Sequence, residues 1–233
     1  TAPQIGEALD PIGQLEGRTT FIVGSRKNAG KTTFLNYALA ARRRPAACLS
    51  VGLESGSPDR VFGTPKPRVR LRPGDAAVVP AASLASSDAG LEILQVYPSA
   101  TAVGRPALAR ARREGTAEIT GPSTNSGLRG MLRDIAAAGI NTVFVDGAVD
   151  RITQAAADAK AGIVYVTRVE PGTLSSAADA VNLLADAAGC PAAPEWKAFF
   201  AGGAAPREKG AFAVKGAFTS SRAAAVPADA RKL

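Results

Sequence analysis

Residues Gly24-Ser25-Arg26-Lys27-Asn28-Ala29-Gly30-Lys31-Thr32-Thr33 gather small, basic and hydroxyl-bearing side chains in one short stretch. The chemistry open to such a run is recognition of dense negative charge. Consecutive backbone N–H groups of a loop can surround anionic oxygens. A helix that begins straight after the loop adds free N–H groups and the positive end of its dipole. Gly30 has no Cβ and lets the backbone come close to its ligand. The chain contains no histidine. That excludes the Ser-His-Asp triad and imidazole metal sites, so carboxylates, Lys, Arg, hydroxyls and amides must carry any chemistry.

The flanking segments suit the task of holding this loop. Arg18 to Val23 is rich in β-formers, and Thr32 to Arg43 places Phe34, Leu35, Ala38 and Leu39 at helical spacing. Arg42, Arg43 and Arg44 are expected in the helix's last turn, where cations suit the dipole, with Pro45 as the stop. Ala46 to Leu53 is a short apolar run of the kind buried in parallel sheets. These pieces make a strand–loop–helix–strand unit. From 55 to 120 the composition shifts to β-like pieces separated by Pro and Gly: Arg68–Arg72, Ala76–Val79, Leu91–Tyr97, Ala107–Arg113 and Thr116–Thr120. Glu114-Gly115 predicts a hairpin between the last two. The α/β alternation then resumes with a helix at 126–138, a buried strand at 142–145 ending at Asp146, a helix at 152–161 and a strand at 162–166. A helix at 175–188 and a last strand at 211–218 follow. The expected fold class is α/β: a parallel sheet with helices on both faces, in a discontinuous core of 1–54 and 121–233, with a β-rich insertion at 55–120.

The stretch Ser25–Thr32 resembles the Walker A motif of P-loop NTPases, G-x-x-x-x-G-K-[ST], with an apolar strand before it and an amphipathic helix after it. Ser25 stands where the first glycine is usual, and Gly24 lies one residue early. The resemblance implies a parallel-sheet P-loop core in which Ser25, Arg26, Lys27, Asn28, Ala29, Gly30, Lys31, Thr32 and Thr33 bind the nucleotide. Lys31 would reach the β- and γ-phosphates, and the Thr32 hydroxyl would ligate Mg²⁺. Asp146, at the end of a buried strand, takes the place of the second Mg²⁺ anchor. Glu54, at the end of the second strand, would orient water or help hold the metal, with Asp59 as the alternative. One branch of the family contains signal-recognition GTPases, ParA/MinD-type ATPases and dethiobiotin synthetases. In it a second lysine near the loop start contacts phosphate across a homodimer. Here the aligned position is Arg26, with Lys27 beside it. Thr167-Arg168-Val169-Glu170 is too degenerate a version of the guanine-reading Asn/Thr-Lys-x-Asp to name a base, so ATP is the default over GTP. A further likeness rests on Ser50–Glu54, Gly63–Arg68, Gly121–Thr124, Val145–Ala148 and Lys215–Thr219. These resemble blocks of P-loop accessory proteins from amino-acid aminomutase gene clusters. That likeness implies a reactivating factor whose β insertion contacts a partner protein.

Three functions therefore compete. The first is an NTPase switch for a partner enzyme, with Lys31, Asp146 and Glu54 in catalytic roles. The second is a small-molecule kinase or ligase of the dethiobiotin-synthetase type, with Lys66, Ser123 and Asn125 near the γ-phosphate. The third is a nucleic-acid-binding ATPase using Arg68, Arg70, Arg72, Arg110, Arg112 and Arg113. Net charge is +8, but aromatics are only 5% of residues, which leaves little for base stacking and argues against nucleic acid. Gly121–Gly127 opens a helix, where Ser or Asn is expected to cap; a second anion site is the alternative. Cys48 and Cys190 fit no metal or redox spacing, and Cys48 reads as a small buried hydrophobe in a reduced, cytoplasmic protein. No apolar run reaches the roughly 18–20 residues that span a bilayer, so no membrane partner is expected.

Overall fold

The computed structural model describes residues 10–26, 28–51, 68–98, 104–122, 124–147 and 161–189. They fall in two compact units, parted between Glu170 and Pro171. The first holds a mixed α/β structure. Its strands are β1 (Thr19–Gly24), β2 (Ala47–Ser50), β3 (Arg68–Leu71), β4 (Ala76–Pro80), β5 (Leu91–Val96), β6 (Pro106–Ala111), β7 (Gly115–Glu118), β8 (Val143–Asp146) and β9 (Gly162–Val166). Its described helices are α1 (Lys31–Ala41) and α2 (Asn125–Ala137). The second unit contributes one described helix, α3 (Leu174–Gly189).

Seven strands form one sheet in the order β5-β6-β4-β2-β8-β1-β9. β1 runs parallel to both β8 and β9, and β2 runs parallel to β8 and β4. β6 runs against its neighbours β4 and β5. Strands covered on both faces must be apolar on both faces, and β2 shows this: Ala47, Cys48 and Leu49 are all fully buried. Alternation then splits the core. Ile22, Cys48, Val79 and Phe144 join Leu35, Ala38 and Leu39 of α1 on one face. Phe21, Leu49, Val78 and Val145 join Leu128, Met131 and Ile135 of α2 on the other. The expected parallel sheet with helices on both faces is thus present, with one antiparallel strand within it. Burial also pushes the Cys48 thiol well above its ordinary pKa, as expected of an inert core residue.

The stretch 55–120 contributes β4, β5 and β6 to the main sheet, while β3 and β7 pair with each other in a separate two-stranded ribbon. Arg68 and Arg70 are exposed on that ribbon and Val69 and Leu71 are buried, the period-two pattern anticipated for it. The expected β6–β7 hairpin does not form. The chain leaves β6 and docks on the 88–90 turn, where the Arg112 and Arg113 N–H groups donate to Ala89 O. It then crosses to β3, passing so close that a Cβ on Gly115 would lie 2.4 Å from Ala89 N. The outer edge of β3 is covered by α1. Arg70 N–H donates to Asn36 Oδ1 (2.8 Å), and Asn36 Nδ2 donates to Arg68 O (3.3 Å).

α1 ends at Ala41, so Arg42–Arg44 are not in its last turn as expected. Arg42 instead leaves the helix with ψ 153° and buries its guanidinium against Asp75. Asp75 is fully buried and also accepts the N–H of Ala46 (3.0 Å) and of Arg72 (2.6 Å). This carboxylate fixes the end of α1 to the starts of β2 and β4. At α2 the cap is Thr124, whose hydroxyl accepts the Gly127 N–H at 3.1 Å, rather than a Ser or Asn.

Candidate functional site

The connection from β1 through α1 leads to β2, on the far side of β8, whereas the chain after β8 returns at β9, on the far side of β1. Connections that leave neighbouring strands in opposite directions open a crevice at the strands' C-terminal ends, where ligands of open α/β sheets bind. The 25–30 loop, the start of α1 and Asp146 all lie at this edge.

Gly30 is the N-cap of α1 with φ +103°, a left-handed conformation that a side chain would strain. The nearest atom to an added Cβ there is Val166 Cγ1 at 3.8 Å, so the backbone conformation, not crowding within the protein, demands glycine. Asn28 also has positive φ (62°), a conformation its residue type tolerates. Among the described residues no side chain caps α1, and no acid lies in its first turn. Among the described residues, no acceptor takes the N–H of Lys31, Thr32 or Thr33. The helix thus presents donors and its positive end to the crevice.

Thr32 Oγ1 donates to Asp146 Oδ2 at 3.2 Å, joining the first turn of α1 to the end of β8. The Asp146 carboxyl is held above the ordinary carboxylate pKa by burial, opposed by the Lys31 charge and by the Thr32 hydrogen bond. Lys31 lies along Gly24: a Cβ there would come within 3.0 Å of Lys31 Cγ and 3.1 Å of Cδ. Sequence reasoning treated Gly24 as a glycine one place early. The structure gives it its own task, room for the stem of the lysine. Ser25 is held from the side, its N–H donating to Val166 O (3.0 Å) and its Oγ accepting from Thr167 Oγ1 (3.1 Å). Arg26 pairs with Glu170 at 2.8 Å, and Arg168 approaches the same carboxylate at 3.3 Å.

Of the residues picked out from sequence, Ser25, Arg26, Asn28, Ala29, Gly30, Lys31, Thr32, Thr33 and Asp146 lie together at this edge. Asn125 opens α2 and is exposed. Lys27, Glu54, Asp59, Lys66 and Ser123 lie outside the described residues, as do the helix expected at 152–161 and the strand at 211–218. The Thr167–Ser25 contact was missed, because nothing in the local sequence of either residue announces a partner 142 positions away.

The fold and this edge define a mixed α/β domain with a mostly parallel seven-stranded sheet. No helix among the described residues is long and apolar enough to cross a membrane. Comparison with protein families, with curated proteins and with solved structures finds no match.

Proposed function

We propose that this chain binds a Mg²⁺–nucleoside triphosphate, ATP by default, in the 25–33 loop and hydrolyses it as the switch of an accessory factor for a partner enzyme. The observation that supports this most is the meeting of Lys31, Thr32 and Asp146 at the C-terminal edge of the sheet, with Thr32 and Asp146 in contact at 3.2 Å. The donors suit Mg²⁺: a hydroxyl and a carboxylate are hard oxygen ligands, and this ion commonly takes one or two protein oxygens beside water and phosphate. Thr32 and Asp146 would hold the ion, and when bound it would neutralise charge on the terminal phosphates. Lys31 contributes a fixed positive charge, and the uncapped N–H groups of α1 donate to phosphate oxygens without rearrangement. The reading as a switch, rather than a kinase, rests on the resemblance to aminomutase accessory proteins. Glu54 is its candidate for positioning water.

The test is nucleotide binding in the presence of Mg²⁺, by calorimetry, for wild type and Lys31→Ala, with ATP and GTP side by side. Binding by the wild type that is lost in the variant supports the reading and names the base. Failure of the wild type to bind either nucleotide overturns it. A switch hydrolyses slowly alone and faster with its partner; turnover that requires a small acceptor favours the kinase reading instead.

A further inference from the structure

The first residue of the loop departs from the usual glycine, and the structure holds it in an unusual way. Ser25 is gripped twice by the end of β9, through its N–H on Val166 O and through its hydroxyl on Thr167 Oγ1. β9 itself is registered on β1 up to Gly24, which pairs with Val166. The strand ladder thus continues one residue into the loop and is closed by a side-chain hydrogen bond. The neighbouring Arg26–Glu170 ion pair joins the same two segments, but its side chains are 48% and 43% exposed, and pairs so open to water contribute little. The partly buried hydroxyl pair is the stronger tie.

We infer that Thr167 is a positioning residue for nucleotide binding: its hydroxyl anchors Ser25 and fixes the entrance of the loop so that the N–H groups downstream keep their geometry in the empty protein. This rests on the proposed reading of the loop as a phosphate site. It also explains how a serine is accommodated at the loop's first position: its side chain is used as a fastener to the adjacent strand. Binding sites gain affinity when the free protein already holds the bound geometry, and the anchor supplies that here.

The test is a double-mutant cycle on Mg²⁺–ATP affinity with Thr167→Val, Thr167→Ser, Ser25→Gly and the pair Ser25→Gly/Thr167→Val. Removing one partner of a partly buried hydrogen bond should raise the Kd of Thr167→Val about tenfold. Thr167→Ser keeps the hydroxyl and should stay near wild type. In the Ser25→Gly background the valine should cost less than about twofold, because its partner is already gone. An equal loss in both backgrounds would show that Thr167 does not act through Ser25 and would overturn the inference. Amide hydrogen exchange on the nucleotide-free protein gives a second readout. Thr167→Val should speed exchange at Ser25 and the residues up to Gly30 while leaving α2 unchanged; unchanged exchange there also overturns it. If the wild type binds no nucleotide, the phosphate reading fails, and the exchange experiment alone decides whether the anchor exists.

Discussion

Replacing Asp75 tests whether a single buried carboxylate fixes the frame on which the candidate site is built. Asp75 is fully buried, receives the Arg42 guanidinium through both Oδ1 and Oδ2, and accepts two further N–H groups, from Ala46 and Arg72. Asp75→Ala leaves the Arg42 charge without a counter-charge where its side chain is only 2% exposed. Breaking a buried ion pair by removing one partner costs about 3–5 kcal/mol. For a protein of this size that is a fall in Tm of roughly 6–20 °C. Arg42→Met should cost less, since Asp75 would still accept its two backbone donors. Thermal and urea unfolding followed by far-UV circular dichroism measures both variants. A loss below about 1 kcal/mol for Asp75→Ala, the value of a solvent-exposed pair, would refute the claim that this pair is desolvated and structural.

Two further predictions concern the edge of the sheet. Burial holds Asp146 above its ordinary pKa, so the folded protein binds more protons than the unfolded chain in the interval between the two values. Stability attributable to this group therefore falls as pH rises through that interval. Asp146→Asn should melt higher than wild type at neutral pH, by a margin that shrinks toward pH 4, while losing Mg²⁺-dependent nucleotide binding; melting curves across that range check the sign, and a margin that grows on acidification contradicts it. Gly24→Ala should crowd the Lys31 stem, 3.0 Å from the added carbon, and the Ala29 Cβ at 3.2 Å, and weaken nucleotide binding severalfold with only a small fall in Tm, because the lysine can move aside and the loop at Ala29 need yield only slightly. A large loss of stability with unchanged binding would argue instead that Gly24 serves the strand alone.

Much of the strand content was legible because the signals are local. The apolar run after Pro45 and the alternation of Arg68-Val69-Arg70-Leu71 mark burial on two faces and on one, and β2 and β3 have those patterns. The loop was legible because its composition is unusual and its neighbours are a β-rich run and an amphipathic helix. Pairing was not. Glu114-Gly115 has the chemistry of a tight turn, yet β6 finds β4 and β5, and β7 finds β3. The choice is made by apolar faces distant in sequence. The same distance hid the two contacts that hold the site. Arg42 read as a cation at a helix end, and its carboxylate lies 33 residues on, after a Pro-Gly turn. Thr167 read as part of a degenerate base-reading motif, and its observed partner is the loop's own serine.

The strand order has a consequence for how the protein comes into being. β8 lies between β1 and β2, although it is made long after both, and its register partners on β1 are more than a hundred residues earlier in the chain. Until that strand emerges from the ribosome, the strand that leads into the loop and the one that follows α1 have no strand between them to join them in one sheet. Such non-local pairing is slow to form and leaves strand edges open in the meantime. The candidate site is therefore among the last parts of the first unit to be assembled, and a growing chain that stops short of Asp146 has the loop but no frame to hold it in.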